Sequence, residues 1–157
     1  MSISSSQALF NRALISCQAG FSYKALPTEL DPDTVPEVNA FLRTHSFLCA
    51  PTSAKQDPVT VAQEMVKKYK DQQLAIFLPG REFDLLGTRH GRGGGWYDRF
   101  LSRIPPSFLR VGLTDQKNIS AIPLLRQPWD EPVDWILFQK GSNWIFHETG
   151  ARSLIKP

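Results

Sequence analysis

The sequence predicts one α/β domain over residues 1–157, an open, mostly parallel sheet with helices on both faces. A chain of 157 residues is long enough for a single hydrophobic core. Strand-length and helix-length patterns alternate along it, as in sheets whose parallel strands are joined by crossover helices. LAIFLP, residues 74–79, is a continuous apolar run, which is typical of a strand covered on both faces.

The N-terminal part predicts a helix, a strand, a loop and a second helix. The serines at residues 4–6 can cap a short helix through Asn11, and ALISCQAGF then indicates a buried strand. YKALPTELDP follows as a loop, because its prolines interrupt regular structure. Apolar residues then recur at helical spacing to about residue 45, with Asp33 or Thr34 as the N-cap.

The remaining pattern continues the alternation. SFLCAP at residues 46–51 predicts a strand, and residues 59–69 have one apolar helical face. After LAIFLP we expect a helix at residues 96–102 and strands at residues 108–113 and 133–138. Ligands of such sheets bind where loops leave the carboxyl ends of the strands.

Composition indicates an ordinary globular protein. Hydrophobic residues make up 41% of the chain, charged residues 21%, and the formal net charge is +3. This mild charge requires no nucleic-acid partner. No apolar run approaches the roughly 18 residues of a membrane span, so we expect a cytoplasmic protein without a membrane partner. Cys17 and Cys49 lie in apolar contexts, which favours small buried side chains over metal ligands or a disulfide.

FDLLGTRHGRGGGWYDRF, residues 83–100, is the segment most indicative of function, because it follows the carboxyl end of the predicted LAIFLP strand. Its glycines let several backbone N–H groups approach one anion. Arg89 and Arg92 offer guanidinium groups suited to phosphate oxygens, and Asp98 is an oxygen ligand suited to Mg²⁺. The segment therefore predicts a site for nucleotide phosphates.

Other interpretations of this segment exist. It is not a Walker A loop, because no Gly-Lys-Ser/Thr follows, and Trp96 stands where a dinucleotide fingerprint has glycine. A flexible turn between strand and helix would also use glycines. An RNA-binding arginine-glycine segment is a further alternative, although such segments usually repeat within disordered sequence.

FLPGREFDLLGTRHGRGGGWYDRFL resembles the signature of the 5-formyltetrahydrofolate cyclo-ligase (5,10-methenyltetrahydrofolate synthetase) family. LPTELDPDTV is similar to that family's substrate loop with its glutamate, and WDEPVDWIL to its late strand with an aspartate. The residues in register with the signature are Pro79, Gly80, Phe83, Asp84, Gly87, Arg89, Gly91, Gly93, Gly95, Tyr97 and Asp98.

The resemblance implies an ATP- and Mg²⁺-dependent cyclisation of 5-formyltetrahydrofolate to 5,10-methenyltetrahydrofolate, with release of ADP and phosphate. It also implies a fold like the ribose-phosphate isomerase and CoA-transferase group, here as one cyclo-ligase-like domain. We expect the chain to be a monomer or a homodimer. Reduced folate and ATP would be its ligands.

Roles for individual residues follow from the same resemblance. Arg89, Arg92 and Asp98 would be catalytic, and Asp98 with Asp134 would lie nearest the metal. Glu29, Phe83 and Trp96 would contact the folate. The residues expected around ATP are Arg89, His90, Gly91, Arg92, Gly93, Gly94, Gly95, Trp96 and Tyr97.

The chain departs from the family pattern near its N-terminus. Family members begin with a long helix whose lysine and arginine reach the phosphates, whereas the first strand is predicted here within about fifteen residues. Arg12 and Lys24 are the nearby cations. The alternative function is therefore a catalytically degenerate relative that binds ATP or a folate without turnover.

Overall fold

The computed structural model describes residues 4–53 and 55–152. In chain order, the helices and strands of these residues are α1 (Ser5–Ile15), β1 (Ala19–Ser22), α2 (Pro36–Thr44), β2 (Ser46–Cys49), α3 (Pro58–Lys68), β3 (Leu74–Leu78), β4 (Glu82–Phe83), β5 (Arg89–His90), α4 (Trp96–Leu101), β6 (Leu109–Asp115), β7 (Trp135–Lys140) and β8 (Asn143–Glu148).

The main sheet has six strands in the order β2-β1-β3-β6-β7-β8. The first four pairings are parallel, and β8 adds to β7 antiparallel. Strand β3 is central and all five of its residues are buried, as its continuous apolar sequence predicts. The short strands β4 and β5 form a separate antiparallel hairpin. The predicted open, mostly parallel sheet is confirmed.

Helices cover both faces of this sheet. Gly20 and Phe21 are neighbours on β1, so their side-chain directions point to opposite faces. Phe41 of α2 lies 3.0 Å from the position that a Cβ at Gly20 would occupy. Phe21 stacks on Phe100 of α4 with ring centroids 4.5 Å apart. Helices α2 and α4 therefore pack on opposite sides, as predicted.

The N-terminal boundaries differ from the sequence prediction. Ser4 does cap α1, since its Oγ accepts a hydrogen bond from the Gln7 N–H, but the helix continues to Ile15. The predicted start of the first strand within ALIS is wrong. Phe10 and Leu14 are four residues apart and both buried, so this apolar stretch is the inner face of a helix.

The start of α2 also differs. Neither Asp33 nor Thr34 caps it, because both lie in a 3₁₀ turn at Pro32–Thr34. Asp31 caps that turn by accepting the Asp33 N–H, and α2 begins at Pro36. Proline tolerates the first helical turn, where its missing N–H costs no hydrogen bond.

Three further features were not predicted correctly. The strand β8 and the β4-β5 hairpin were missed, because β8 is a partly exposed edge strand and the hairpin strands have two residues each. Cys17 is buried as expected, but Cys49 is exposed. Cys49 lies on β2, an edge strand with little cover.

The longest described helices, α1 and α3, have 11 residues each. Within the described ranges, no helix has the length and apolar character needed to cross a lipid bilayer.

Candidate active site

A cavity of about 830 Å³ lies at the carboxyl ends of β1, β2 and β3. The loops that leave these three strands form most of its wall, as expected for a mostly parallel sheet. The glycine segment closes another side. The lining residues are 23–27, 29, 50–53, 79–81, 89–98, 129 and 130.

The β4-β5 hairpin places the start of the glycine segment at this cavity. Phe83 anchors it, being fully buried against Gly80 and Gly112. A Cβ at either glycine would lie within 2.7 Å of the Phe83 ring, which explains why both positions lack a side chain. Asp84 fixes the turn, because its carboxylate accepts N–H groups from Leu86, Thr88 and Leu124. The structure therefore gives Phe83 a place in the core and does not bring it to the cavity as a folate contact.

Arg89 is a fixed cation in the cavity wall. Its side chain is 5% exposed, and its Nε donates to the Pro79 carbonyl at 2.6 Å. The guanidinium lies over the Tyr97 ring, 4.8 Å from the centroid. Burial lowers the pKa of Arg89, and the carboxylate of Asp98 opposes this effect. Such a rigid, weakly hydrated cation suits an anionic ligand.

The glycine segment has an open backbone. Gly93 and Gly95 have φ of 101° and 66°, in the left-handed region that disfavours any side chain. A Cβ at Gly93 or Gly94 would meet no atom within 4 Å, so space is available beside this backbone. His90 holds one end of the segment through Nε2, 2.6 Å from the Leu125 carbonyl oxygen.

Trp96 and Tyr97 connect the segment to the core. The Trp96 Nε1 donates to the Gln56 carbonyl at 2.8 Å, and its ring stacks on Phe100 with centroids 5.4 Å apart. Phe100 therefore covers one face of the indole. Burial raises the pKa of Tyr97, and the nearby Arg89 charge opposes this shift.

Besides Glu29, two aspartates line the cavity, Asp98 and Asp130. The Asp98 Oδ1 accepts the Glu131 N–H at 3.0 Å. Burial is the main cause of its raised pKa; the Glu131 N–H and Arg89 oppose the shift, and the Asp130 charge adds to it. In the described part of the chain, no cluster of three or more His, Cys, Asp or Glu side chains has the arrangement of a metal site. Any metal here would rely on this pair of carboxylates and on ligand oxygens.

Asp134 is not brought to the cavity. It directly precedes β7, at the amino ends of the strands, and its Oδ1 and Oδ2 accept from Arg152 at 2.8 and 2.7 Å. Its Oδ2 also accepts the Arg110 N–H at 2.9 Å. These bonds tie the C-terminal end of the described chain to the sheet, which does not support the predicted metal contact.

Glu29 and Arg92 do meet across the cavity. The Glu29 Oε2 lies 3.7 Å from the Arg92 Nε, and its Oε1 accepts the Leu26 N–H at 2.9 Å. The Arg92 Nη2 also donates to the Thr28 hydroxyl. The substrate-loop glutamate and the glycine-segment arginine thus line the same cavity and contact each other.

Other lining residues were missed by sequence reasoning. Arg81 and Lys24, of which the sequence analysis named Lys24 only as a nearby cation, add two cations to the cavity, and Asp130 adds a third acid beside Glu29 and Asp98. Trp129 also lines it and is 68% exposed. Lys24 and Arg81 closely follow the carboxyl ends of β1 and β3, and that position was a usable signal. The signal for Asp130 was its place in WDEPVD, four residues before the acid that was chosen instead.

Fold and site together define an α/β protein with a polar ligand cavity at the carboxyl ends of parallel strands. A family model described as the 5-formyltetrahydrofolate cyclo-ligase family matches residues 39–139, more than half of the chain. The chain belongs to this family.

A solved structure supports the fold. It is described as a 5,10-methenyltetrahydrofolate synthetase from Mycoplasma pneumoniae, and it superposes with a TM-score of 0.56. The similarity covers 86% of this chain and 88% of that one, at 15% sequence identity. A search of curated protein sequences finds no match.

Proposed function

We propose that this protein catalyses the ATP- and Mg²⁺-dependent cyclisation of 5-formyltetrahydrofolate to 5,10-methenyltetrahydrofolate, releasing ADP and phosphate. One observation carries the proposal: a single cavity brings together the glycine segment, Arg89, the acids Asp98 and Asp130, and Glu29 of the facing loop. Family membership supplies the reaction, and this arrangement supplies groups for each of its reactants.

Arg89, Arg92, Lys24 and Arg81 would hold the ATP phosphates beside the open backbone at residues 91–95. Phosphoryl transfer needs positioning and charge neutralisation more than covalent chemistry from the protein. Arg89 is rigid and buried, so it requires little reorganisation when charge develops. Lys24 and Arg81 also provide cations that the family pattern places in an N-terminal helix.

Asp98 and Asp130 would hold Mg²⁺, since both carboxylates line the cavity and the charge of Asp130 disfavours ionisation of Asp98. A cation between them would relieve that repulsion, and hard carboxylate oxygens are suitable ligands. When bound, Mg²⁺ would neutralise charge on the phosphate oxygens.

Glu29 would receive the amino and amide N–H groups of the pterin. Its side chain is 11% exposed, so a ligand that supplies donors would satisfy a largely buried acid. The folate formyl oxygen would attack the γ-phosphorus while ADP leaves. N10 would then close the ring on the formyl carbon and lose its proton, and phosphate would leave with the formyl oxygen. The protein's part is to align these groups and exclude water.

The test is the rise in absorbance of methenyltetrahydrofolate from 5-formyltetrahydrofolate, ATP and Mg²⁺. We expect turnover by the wild type and a loss of at least about 10²-fold in Asp98→Asn and Asp130→Asn. Asp134→Asn is the matched control, because its carboxylate lies outside the cavity. No turnover, in protein that calorimetry shows still binds ATP or folate, would replace the proposal with the binding-only alternative.

A further inference from the structure

Thr28, Glu29 and Arg92 form a bridge between the two loops that face each other across the cavity. Arg92 uses its Nη2 to reach the Thr28 hydroxyl and its Nε to face the Glu29 carboxylate at 3.7 Å. These contacts join residues more than sixty positions apart in the chain. Arg92 and Glu29 line the cavity, whereas Thr28 does not.

The two charged side chains of this bridge differ in their exposure to water. The Arg92 side chain is 50% exposed, so water can replace its contacts with Glu29 and Thr28 when the side chain moves away. The Glu29 side chain is 11% exposed and keeps only the Leu26 N–H on its other oxygen. A largely buried carboxylate that loses a partner favours any ligand that brings new donors.

We propose that this bridge is a latch that makes the nucleotide and the folate bind with positive cooperativity, so that Thr28 is a positioning residue acting through Arg92. The proposal rests on the proposed function, which assigns Arg92 to phosphate and Glu29 to the pterin. Neither side chain can serve its ligand fully while it holds the other.

The two ligands are coupled because the binding of either one breaks the same contacts between Arg92, Thr28 and Glu29. Phosphate oxygens that capture Arg92 break the bridge, and a pterin that engages Glu29 breaks the same bridge. Whichever ligand binds first bears this cost, and the second binds to a latch already open. Linkage makes the effect reciprocal, so each ligand raises the affinity for the other by the same factor. A partly exposed ion pair predicts a factor of about two to five.

A substitution at Thr28 distinguishes the latch from a purely structural role by the direction in which ligand affinity changes. Thr28→Val removes the hydroxyl that holds Arg92 and alters no cavity-lining side chain. The variant weakens the latch, so each ligand alone should bind more tightly, by up to about twofold, and the coupling factor should fall. A threonine that merely supported the loop would instead weaken binding when replaced. Its side chain is exposed, so the variant is expected to fold normally.

The experiment is calorimetry with two probes, 5-formyltetrahydrofolate and the β,γ-imido analogue of ATP with Mg²⁺. Each affinity is measured with and without the other probe at saturation. Arg92→Ala should reduce the coupling factor to about one, even though it also weakens the nucleotide itself. Arg103→Ala removes the same charge from an exposed helix-end position outside the cavity and should leave the coupling unchanged.

Coupling of about two- to fivefold in the wild type, reduced in Thr28→Val and Arg92→Ala, would support the latch. Two probes that bind independently to the wild type would overturn the latch while leaving the proposed function intact. Coupling that persists unchanged in both variants would also overturn it. A chain that binds neither probe would overturn the latch and the proposed function together.

Discussion

Gly112→Ala tests how the core fixes the active-site hairpin. Gly112 lies on the central strand β6, and a Cβ there would approach the Phe83 ring to 2.4 Å at Cε1 and 3.0 Å at Cζ. The ring has no free space to enter, because Phe83 is fully buried and its other edge faces Gly80. Either the ring or the strand must move.

Forcing one methyl into a packed core costs about 1–3 kcal/mol. For a chain of this size we expect Gly112→Ala to lower the melting temperature by about 2–12 °C. Phe83 pairs with Arg89 across the hairpin, so the same displacement should reach the cavity and reduce turnover.

Urea unfolding followed by tryptophan fluorescence measures the cost. Gly94→Ala is the matched control, since it adds the same methyl where no atom lies within 4 Å, and its stability should change by less than about 1 kcal/mol. Phe83→Leu combined with Gly112→Ala should be less destabilised than the sum of the single changes, because the smaller side chain leaves room for the methyl. A wild-type unfolding midpoint for Gly112→Ala alone would refute the reasoning.

Three further predictions concern single side chains. In native protein, a thiol reagent should modify the exposed Cys49 and leave Cys17 unreacted, because Cys17 is buried and burial raises its pKa to about 11; two reactive thiols without denaturant would contradict this. Arg152→Ala should lower the free energy of unfolding by about 1–3 kcal/mol in urea titrations, since it removes the ion-pair partner of Asp134 and leaves its carboxylate only the Arg110 N–H. Asp98→Asn should melt above the wild type at neutral pH, because burial raises the pKa of Asp98 and the ionised form therefore costs stability. That difference should shrink as pH falls through the raised pKa and be gone below the ordinary value of 3.8, and calorimetric melting curves that show a constant gap would exclude the explanation.

Much of the fold was predictable because its signals are local. LAIFLP identified β3, since a strand covered on both faces is apolar at every position. The glycine segment was also recognisable from its residue types, because the positive φ at Gly93 and Gly95 favours glycine. Boundaries were less certain where apolar residues suit either a helix or a strand, as in ALIS at the end of α1.

Roles within the site depended on distant parts of the chain. Asp130 and Asp134 lie in one short segment, yet only Asp130 lines the cavity, while Asp134 pairs with Arg152. Phe83 belongs to the family signature but is a core residue. Gly80, just after β3, and Gly112, on β6, have no side chains and so leave space for its ring. These differences arise because side-chain direction and burial depend on what the sheet places opposite each residue.

The sequence by itself determined the class of fold, the family and the position of the glycine segment after the central strand, because each follows from local spacing and residue type. Only the tertiary structure decided which acids and cations share the cavity, and that Arg92 meets Thr28 and Glu29 across it. Parallel strands bring the loops after β1, β2 and β3 to one edge of the sheet, so residues far apart in sequence become neighbours there.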